Sequence, residues 1–188
     1  MAEAARSSSL RCRDASASLF EQKSTPARGG FLLGNIGLMS PSRHPVLSVV
    51  YSSTATTAFT DADLAALLTV SRHNNARAGV TGMLLSRHDR FLQVLEGPQP
   101  QVEELMTKIS GDSGHRNVRV LLKESVDRRQ FPDWTMSFQQ LSSADEDQVP
   151  GYRKAFDDLS DETNDVNATT AAVRELVHWF EARPTPAM

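Results

Sequence analysis

The sequence is poor in cysteine: Cys12 is the only one among 188 residues. A single thiol cannot build an intramolecular disulfide framework, and such scarcity is typical of a reducing compartment, so we expect a cytoplasmic protein. No apolar run approaches the roughly 20 residues that a membrane span needs. The formal net charge of -3 creates no basic field that would attract nucleic acid. The sequence therefore predicts neither a membrane protein nor a nucleic-acid-binding protein.

The motifs of several enzyme classes are also missing. No G-x-S-x-G, P-loop or G-x-G-x-x-G pattern occurs in the chain. The five histidines have no metal-ligand spacing, so no metal site is predicted. Asp112 and His115 are candidates for acid–base chemistry, but both fall in a predicted turn, where solvated polar residues are normal. Lys108 lies four residues before Asp112, and this spacing on a helix predicts an ordinary ion pair between them.

Composition divides the chain into three parts. Residues 1–43 are rich in Ser, Ala and Arg with little hydrophobic periodicity, so we expect them to be disordered. Met39 lies just before the first predicted strand and is an alternative start. Residues 44–142 contain the elements of one domain. Residues 143–183 contain two amphipathic helical segments that we expect to pack on the free face of a sheet or on a second subunit. The second segment has an apolar stripe at helical spacing: Val173, Leu176, Val177 and Phe180.

The periodic segments of the domain follow the order β-α-β-β-α-β-β. The strands are VLSVVYSS, GVTGMLLS, RFLQVLEG, VRVLLKES and DWTMSFQQL, and the helices are FTDADLAALLTVSRHNNA and QPQVEELMTKISGD. Thr60 and Asp63 predict a capping box at the start of the first helix. This order predicts an α+β ferredoxin-like sandwich, with a five-stranded mixed sheet and two helices on one face. We expect the first and third strands to be central, parallel neighbours.

Four polar residues fall on faces that are otherwise apolar. Gln93 shares its strand face with two apolar residues, because strand side chains alternate, and Tyr51 does the same on the first strand. Ser71 and Asn75 lie one turn apart on the apolar stripe of the first helix. A buried polar group without a partner costs about 1–3 kcal/mol. The simpler interpretation is that these groups satisfy one another or the backbone. The alternative is a planar ligand, rich in donors and acceptors, between the two helices.

Five blocks of sequence carry a family resemblance. They are VVYSS, SRHNNARAGVTGMLL, RFLQVLEGP, ISGDSGHRNV and RRQFPDWTMSF, in this order between residue 46 and about residue 141. Together they closely resemble the BLUF family, blue-light sensors that bind FAD. The resemblance implies a photoreceptor rather than an enzyme, with noncovalent FAD, or alternatively FMN or riboflavin, as the cofactor. It also implies output through an unidentified downstream protein or through a homo-oligomer.

The resemblance further implies roles for individual residues. Gln93 would bridge Tyr51 and the edge of the flavin ring. Light-driven electron and proton transfer from Tyr51 would leave Gln93 rotated or tautomerised and shift the absorption to the red. Trp134 and Met136 would be the fifth-strand pair tied to signalling. One position departs from the family pattern: Gly114 stands where an Arg is common, which bears on contacts at the phosphate side. The other flavin-contacting positions would be Ser71, Asn74, Asn75, Lys108, Asp112 and His115.

Two other classes of protein stay open. One is a flavin-free regulatory or protein-interaction module of ferredoxin-like fold, in which the four buried polar residues merely satisfy one another. The other is a small hydrolase similar to an acylphosphatase, which shares the coarse fold. The hydrolase has little support, because YSSTATT follows the first strand where a phosphate-cradling arginine would be needed. The colour of the purified protein separates the first alternative from the photoreceptor, since a bound flavin makes it yellow.

Overall fold

The structure is a computed structural model that describes residues 45–141, 146–158 and 166–183. The predicted leader, residues 1–43, and the alternative start at Met39 lie outside these ranges. No helix in the described ranges is long and apolar enough to cross a membrane. The strands and α-helices are β1 (Val46–Ala55), α1 (Asp61–Ala78), β2 (Thr81–Arg87), β3 (Arg90–Pro98), α2 (Gln99–Gly111), β4 (His115–Val126), β5 (Ser137–Gln140), α3 (Tyr152–Asp158) and α4 (Val166–Glu181).

Helix α1 has the ends that its sequence predicts. The Asp63 N–H donates to Thr60 Oγ1 at 3.2 Å, and the Thr60 N–H donates to Asp63 Oδ2 at 3.3 Å, which is the predicted capping box. The helix stops at Gly79, whose φ of 65° lies in the left-handed region that glycine adopts without a Cβ clash. These two signals mark the two ends of α1.

The sheet has the order β4-β1-β3-β2-β5. β1 and β3 are neighbours, as predicted, but they run antiparallel, so the prediction of a parallel pair was wrong. The reason is the short turn after Arg87, which reverses the chain from β2 into β3 and places β3 between β1 and β2. β5 pairs with β2 in parallel, which makes the sheet mixed. The predicted ferredoxin-like α+β fold with a fifth strand is confirmed.

Two strand boundaries differ from the prediction. β5 begins at Ser137, so Trp134 and Met136 lie in the loop before it rather than within the strand. Regular pairing with β2 starts only at Ser137, because the preceding loop meets β2 through one separate bond, from the Gly82 N–H to the Trp134 carbonyl at 2.6 Å. β4 begins earlier than predicted, and His115 is its first residue instead of part of a turn.

The sheet separates two apolar cores. Helices α1 and α2 cover one face, and the core beneath them contains Tyr51 together with apolar residues of β1, β2 and β3. Helices α3 and α4 cover the opposite face, which we call the outer face. Both C-terminal helices therefore lie on the face of the sheet that α1 and α2 leave free. Each residue of the predicted stripe on α4 is at most 4% exposed: Val173, Leu176, Val177 and Phe180.

Replacing Val177 by Glu is expected to destabilise the protein strongly. The side chain is buried in the outer core, and a carboxylate placed there has no partner, so we expect a loss of about 3 kcal/mol or more in the free energy of unfolding. Chemical denaturation measures this loss. The matched control is Ala171→Glu, on the exposed side of the same helix, which is expected to change stability by less than about 0.5 kcal/mol. Equal stability of both variants would contradict the packing of α4 on the sheet.

Candidate functional site

A cavity lies between α1, α2 and the sheet face that they cover. Its volume is about 690 Å³, counting all the space between the atoms and the open solvent at its mouth. Its walls are mostly apolar, formed by Leu67, Leu68, Val70, Leu84, Phe91, Leu105 and Ile109. The polar groups that reach it, together with one thioether, are Tyr51, Ser71, Asn75, Gln93, Asp112, His115 and Met136. The cavity thus combines flat apolar walls with a small set of donors and acceptors.

A chain of three side chains crosses the floor of the cavity. Tyr51 and Gln93 lie directly opposite each other in the antiparallel register of β1 and β3, so their side chains share one face. The Tyr51 hydroxyl donates a hydrogen bond to Gln93 Oε1. Gln93 Nε2 donates in turn to Met136 Sδ at 3.1 Å. The orientation of the Gln93 amide is therefore set by a donor on one side and an acceptor on the other.

Tyr51 is held in its protonated form. It is 1% exposed, and burial raises the pKa of its hydroxyl far above the usual value, with a smaller contribution in the same direction from the charge of Asp112. Burial disfavours the phenolate because the charged form loses its hydration. At any ordinary pH the hydroxyl therefore keeps its proton and can donate it to Gln93.

Helix α1 fastens the loop that carries Met136. Asn75 is 2% exposed, and its Nδ2 donates to the Thr135 carbonyl at 3.0 Å. Arg72 Nε donates to the Met136 carbonyl at 3.0 Å. The Asn75 amide has a second N–H and a carbonyl oxygen, so this bond does not exhaust its hydrogen-bonding capacity. Of the four polar residues noted in the sequence, Tyr51, Gln93 and Asn75 have protein partners, as the simpler interpretation requires.

His115 and Asp112 also line the cavity. His115 Nδ1 is 3.1 Å from Ser53 Oγ, and burial lowers the pKa of its half-buried ring, while the charge of Asp112 acts in the opposite direction. Asp112 Oδ1 accepts from the Gly114 N–H at 2.8 Å. The lowered pKa favours the neutral ring, which can both donate and accept.

The predicted ion pair between Lys108 and Asp112 is wrong. Lys108 Nζ instead pairs with Glu104 Oε1 at 2.6 Å, one turn earlier in α2. Asp112 caps the end of the helix, where the backbone is already extended, with φ of -78° and ψ of 128°. Asp112 Oδ1 instead accepts from the Gly114 N–H at 2.8 Å, and helical spacing alone does not decide between these partners.

Three of the predicted site residues lie outside the main cavity. Asn74 and Lys108 line an adjoining cavity, which shares Asn75 and Leu105 with the main one. Trp134 lies in the outer core, 6% exposed, with its ring centroid 5.1 Å from that of Phe131. Met136 and Trp134 thus occupy opposite faces of the sheet, and the side chain that meets Gln93 is Met136.

Sequence reasoning missed Ser53 and Arg72. Ser53 lies two residues beyond Tyr51, so the alternation of strand faces was a signal that could have placed it beside the cavity. Arg72 acts through a loop that is distant in sequence, and no local pattern indicates such a contact. The residue at the departing position, Gly114, is buried, while the neighbouring Arg116 pairs with Asp89 at 3.3 Å.

Comparison with known proteins identifies the class of this domain. Residues 46–137 match the family model described as BLUF, sensors of blue-light using FAD. The photoactivated adenylate cyclase subunit beta of Euglena gracilis is 32% identical over 114 residues, 60% of this chain and 13% of that protein. The blue light- and temperature-regulated antirepressor BluF of Escherichia coli (strain K12) is 31% identical over 83 residues, 44% of this chain and 21% of that protein. The chain spans less than a quarter of the length of either relative.

Solved structures give the same answer. The dark-state structure of the BLUF protein BlrB has a TM-score of 0.59 and 27% sequence identity, covering 74% of this chain and 98% of that chain. A bacterial light-regulated adenylyl cyclase has a TM-score of 0.55 and 28% identity, covering 61% of this chain and 34% of that chain. The family match and the shared ferredoxin-like fold identify a sensor domain. Residues 46–137 of the chain belong to the BLUF family.

Proposed function

We propose that this protein is a blue-light photoreceptor that binds FAD noncovalently between α1 and α2, with Tyr51 and Gln93 as its switch. The observation that carries the proposal is the hydrogen-bonded chain Tyr51–Gln93–Met136, which lines the cavity of a domain from a family of FAD-using sensors. The fold supplies the register that makes this chain, because β1 and β3 place Tyr51 directly opposite Gln93.

The residues of the cavity fit a flavin ring. Such a ring is planar, with two apolar faces and hydrogen-bonding groups along its edges, and the cavity has apolar walls with amide groups between them. Gln93 and Asn75 would face the polar edge of the ring, since each keeps hydrogen-bonding capacity beyond its protein partner. Ser71, Asp112 and His115 would meet other edge positions. Asn74 and Lys108 would act from the adjoining cavity.

The bound flavin would absorb the blue light and act as the electron acceptor. Tyr51 would supply one electron and its hydroxyl proton, and both would return to Tyr51 before the red-shifted state persists, so that the flavin in that state is chemically unchanged. While the hydroxyl proton is absent, the Tyr51 oxygen cannot donate to Gln93 Oε1, so the contact that holds the Gln93 amide in place is lost. The amide would then rotate or tautomerise, which changes the hydrogen bonds offered to the flavin.

Switching of Gln93 by rotation has a consequence for Met136. In the dark arrangement Nε2 donates to the Met136 sulfur. After rotation the amide oxygen would take that place, and a thioether sulfur has no proton to donate to it. The hydrogen bond between Gln93 and Met136 would therefore break, and the loop before β5 would lose one of its contacts with the cavity.

We place the output in the C-terminal helices, which would pass the signal to a downstream protein or to a second copy of the chain. The supporting observation is that α4 packs on the outer core, which also contains Trp134. Hydrogen exchange of α4, measured in the dark and under blue light, tests this placement. Equal exchange in both states would contradict it.

Purified protein supplied with excess FAD is expected to retain about one flavin per chain. The flavin should be released by heat, since the proposal involves no covalent bond, and chromatography of the released material should identify FAD. FMN or riboflavin in its place would mean that Gly114 and its surroundings bind the phosphate side weakly. A supernatant without flavin fluorescence would contradict the photoreceptor and favour the flavin-free regulatory module.

A further inference from the structure

The loop between β4 and β5, residues 127–136, is tied to β3 at two points. At its far end, Met136 Sδ accepts from Gln93 Nε2 at 3.1 Å. At its near end, Glu96 Oε2 accepts from the N–H groups of Gln130 at 2.9 Å and Phe131 at 3.0 Å. Gln93 and Glu96 are three residues apart on the same strand. One strand therefore both carries the amide switch and anchors the loop that the switch contacts.

The carboxylate of Glu96 is completely buried, which is unusual for a charged side chain. Its side chain is 0% exposed, although a carboxylate is among the groups that proteins most rarely bury completely. The two backbone N–H groups that donate to it both lie in the loop, outside any helix or strand. Without Glu96 these two donors would lose their partner at a buried site. The carboxylate also interacts with the side chain of Ser48 on β1, so it joins the loop to the sheet.

Arg129 holds the same end of the loop, but here the loop residue is the donor and the rest of the domain supplies the acceptors. Its guanidinium donates to the Gly79 carbonyl at 2.6 Å, to Thr81 Oγ1 at 2.8 Å and to the Glu96 carbonyl at 2.5 Å. These acceptors belong to the end of α1, the start of β2 and the end of β3. A single loop residue therefore joins three elements at the point where they meet.

The position of Met136 follows from this anchor. Only four residues separate Phe131 from Met136, and between them the Trp134 carbonyl accepts from the Gly82 N–H. Phe131 is also buried against Trp134, so the loop has little freedom between its two ties to β3. A displacement at Glu96 would therefore be transmitted to the sulfur that meets Gln93.

We propose that Glu96 and Arg129 form a latch that positions Met136 against Gln93 and thereby sets the lifetime of the light-activated state. This inference rests on the proposed photoreceptor function. The bond from Gln93 Nε2 to the Met136 sulfur belongs to the dark arrangement. The thermal return has to form this bond again, so a loosened latch that no longer holds the sulfur in position raises the barrier and slows the return. Glu96 and Arg129 are positioning residues, since neither lines the cavity.

The test compares dark recovery in the full chain and its variants after a blue-light pulse. Glu96→Ala and Arg129→Met are each expected to slow recovery about threefold or more, since the loss of one ordinary hydrogen bond corresponds to about fivefold in an equilibrium constant. Glu96→Gln keeps an oxygen acceptor for the two loop N–H groups and is expected to recover within about twofold of the wild type. The amides of Gln130 and Phe131 are expected to exchange faster in Glu96→Ala.

The control is Tyr152→Phe, which removes a buried hydrogen bond on the outer face, from Tyr152 Oη to the Ser86 carbonyl at 3.1 Å. It is expected to recover at the wild-type rate. Unchanged recovery in both latch variants, or equal slowing in Tyr152→Phe, would overturn the latch while leaving the photoreceptor intact. If Glu96→Ala does not fold, Arg129→Met decides, because its side chain is half-buried. A wild-type protein with flavin but without a red shift would overturn both proposals.

Discussion

A Tyr51→Phe protein is expected to stay folded and yellow but to show no stable red shift under blue light. The substitution keeps the aromatic ring, which is buried among β1, β3 and the helices, and removes only the hydroxyl. Gln93 Oε1 then loses its donor, which costs about 1–3 kcal/mol of stability. The larger effect is on function, because the group that would supply the electron and the proton is gone. Absorption spectra before and after illumination measure it.

Tyr152 provides a matched control for this experiment, since it is the only other tyrosine in the chain. It is also fully buried and also loses one hydrogen bond when replaced by Phe, but it lies on the outer face, away from the cavity. Tyr152→Phe is expected to keep the full red shift. A normal red shift in Tyr51→Phe, with flavin occupancy confirmed, would show that the switch has been assigned to the wrong tyrosine.

Gln93→Leu is expected to bind flavin and to fail in forming the red-shifted state. Leucine keeps roughly the volume of glutamine but has no donor or acceptor. The Tyr51 hydroxyl would lose its acceptor and the Met136 sulfur its donor, so nothing on the cavity floor could exchange hydrogen bonds. The expected result is complete loss of the light-induced shift with a flavin content close to that of the wild type. Difference spectroscopy on protein of known flavin content measures both.

Gln99→Leu is the control for the loss of a glutamine amide. Gln99 lies at the start of α2, where its Nε2 donates to Glu103 Oε1 at 3.1 Å on the protein surface. This variant is expected to photocycle normally. If Gln93→Leu also gave a full red shift, the amide would not be the switching group, and the proposed mechanism would be wrong even though the cofactor had been correctly assigned.

Much of the fold could be predicted from local signals. The capping box of Thr60 and Asp63 acts within four residues, and the stripe on α4 depends only on helical spacing. The direction of β3 relative to β1 was predicted wrongly, because it follows from the connections through α1 and the turn after Arg87 rather than from either strand. The start of β5 depends on pairing with β2, and a sequence window does not contain that partner.

Site residues could be predicted where a polar side chain interrupts an otherwise apolar strand face. Tyr51 and Gln93 were noticeable because each interrupts an apolar strand face, and the structure places them in direct contact. The sulfur contact of Met136 and the anchoring by Glu96 depend on how a loop returns to the sheet, and neither leaves a periodic signal. Lys108 pairs with Glu104 and Asp112 accepts from the Gly114 N–H, and spacing along the helix does not show which of these partners a side chain takes.

The connection between Gln93 and Glu96 through β3 gives the proposed switch a route out of the cavity. A single hydrogen bond contributes about 1 kcal/mol net, so a change at Gln93 can shift only an equilibrium that is already finely balanced. The loop between β4 and β5 could take part in such an equilibrium, since it carries Met136 on one face of the sheet and Trp134 on the other.

The absorption spectrum of the purified protein, recorded in the dark, after blue light and again after return to darkness, tests the central claim most directly. We expect flavin bands that shift to longer wavelength on illumination, keep their overall shape, and return to the starting spectrum in the dark. That result would show a change in hydrogen bonding around a chemically unchanged flavin. A spectrum without flavin bands, or bands that stay unshifted or bleach under blue light, would contradict the account.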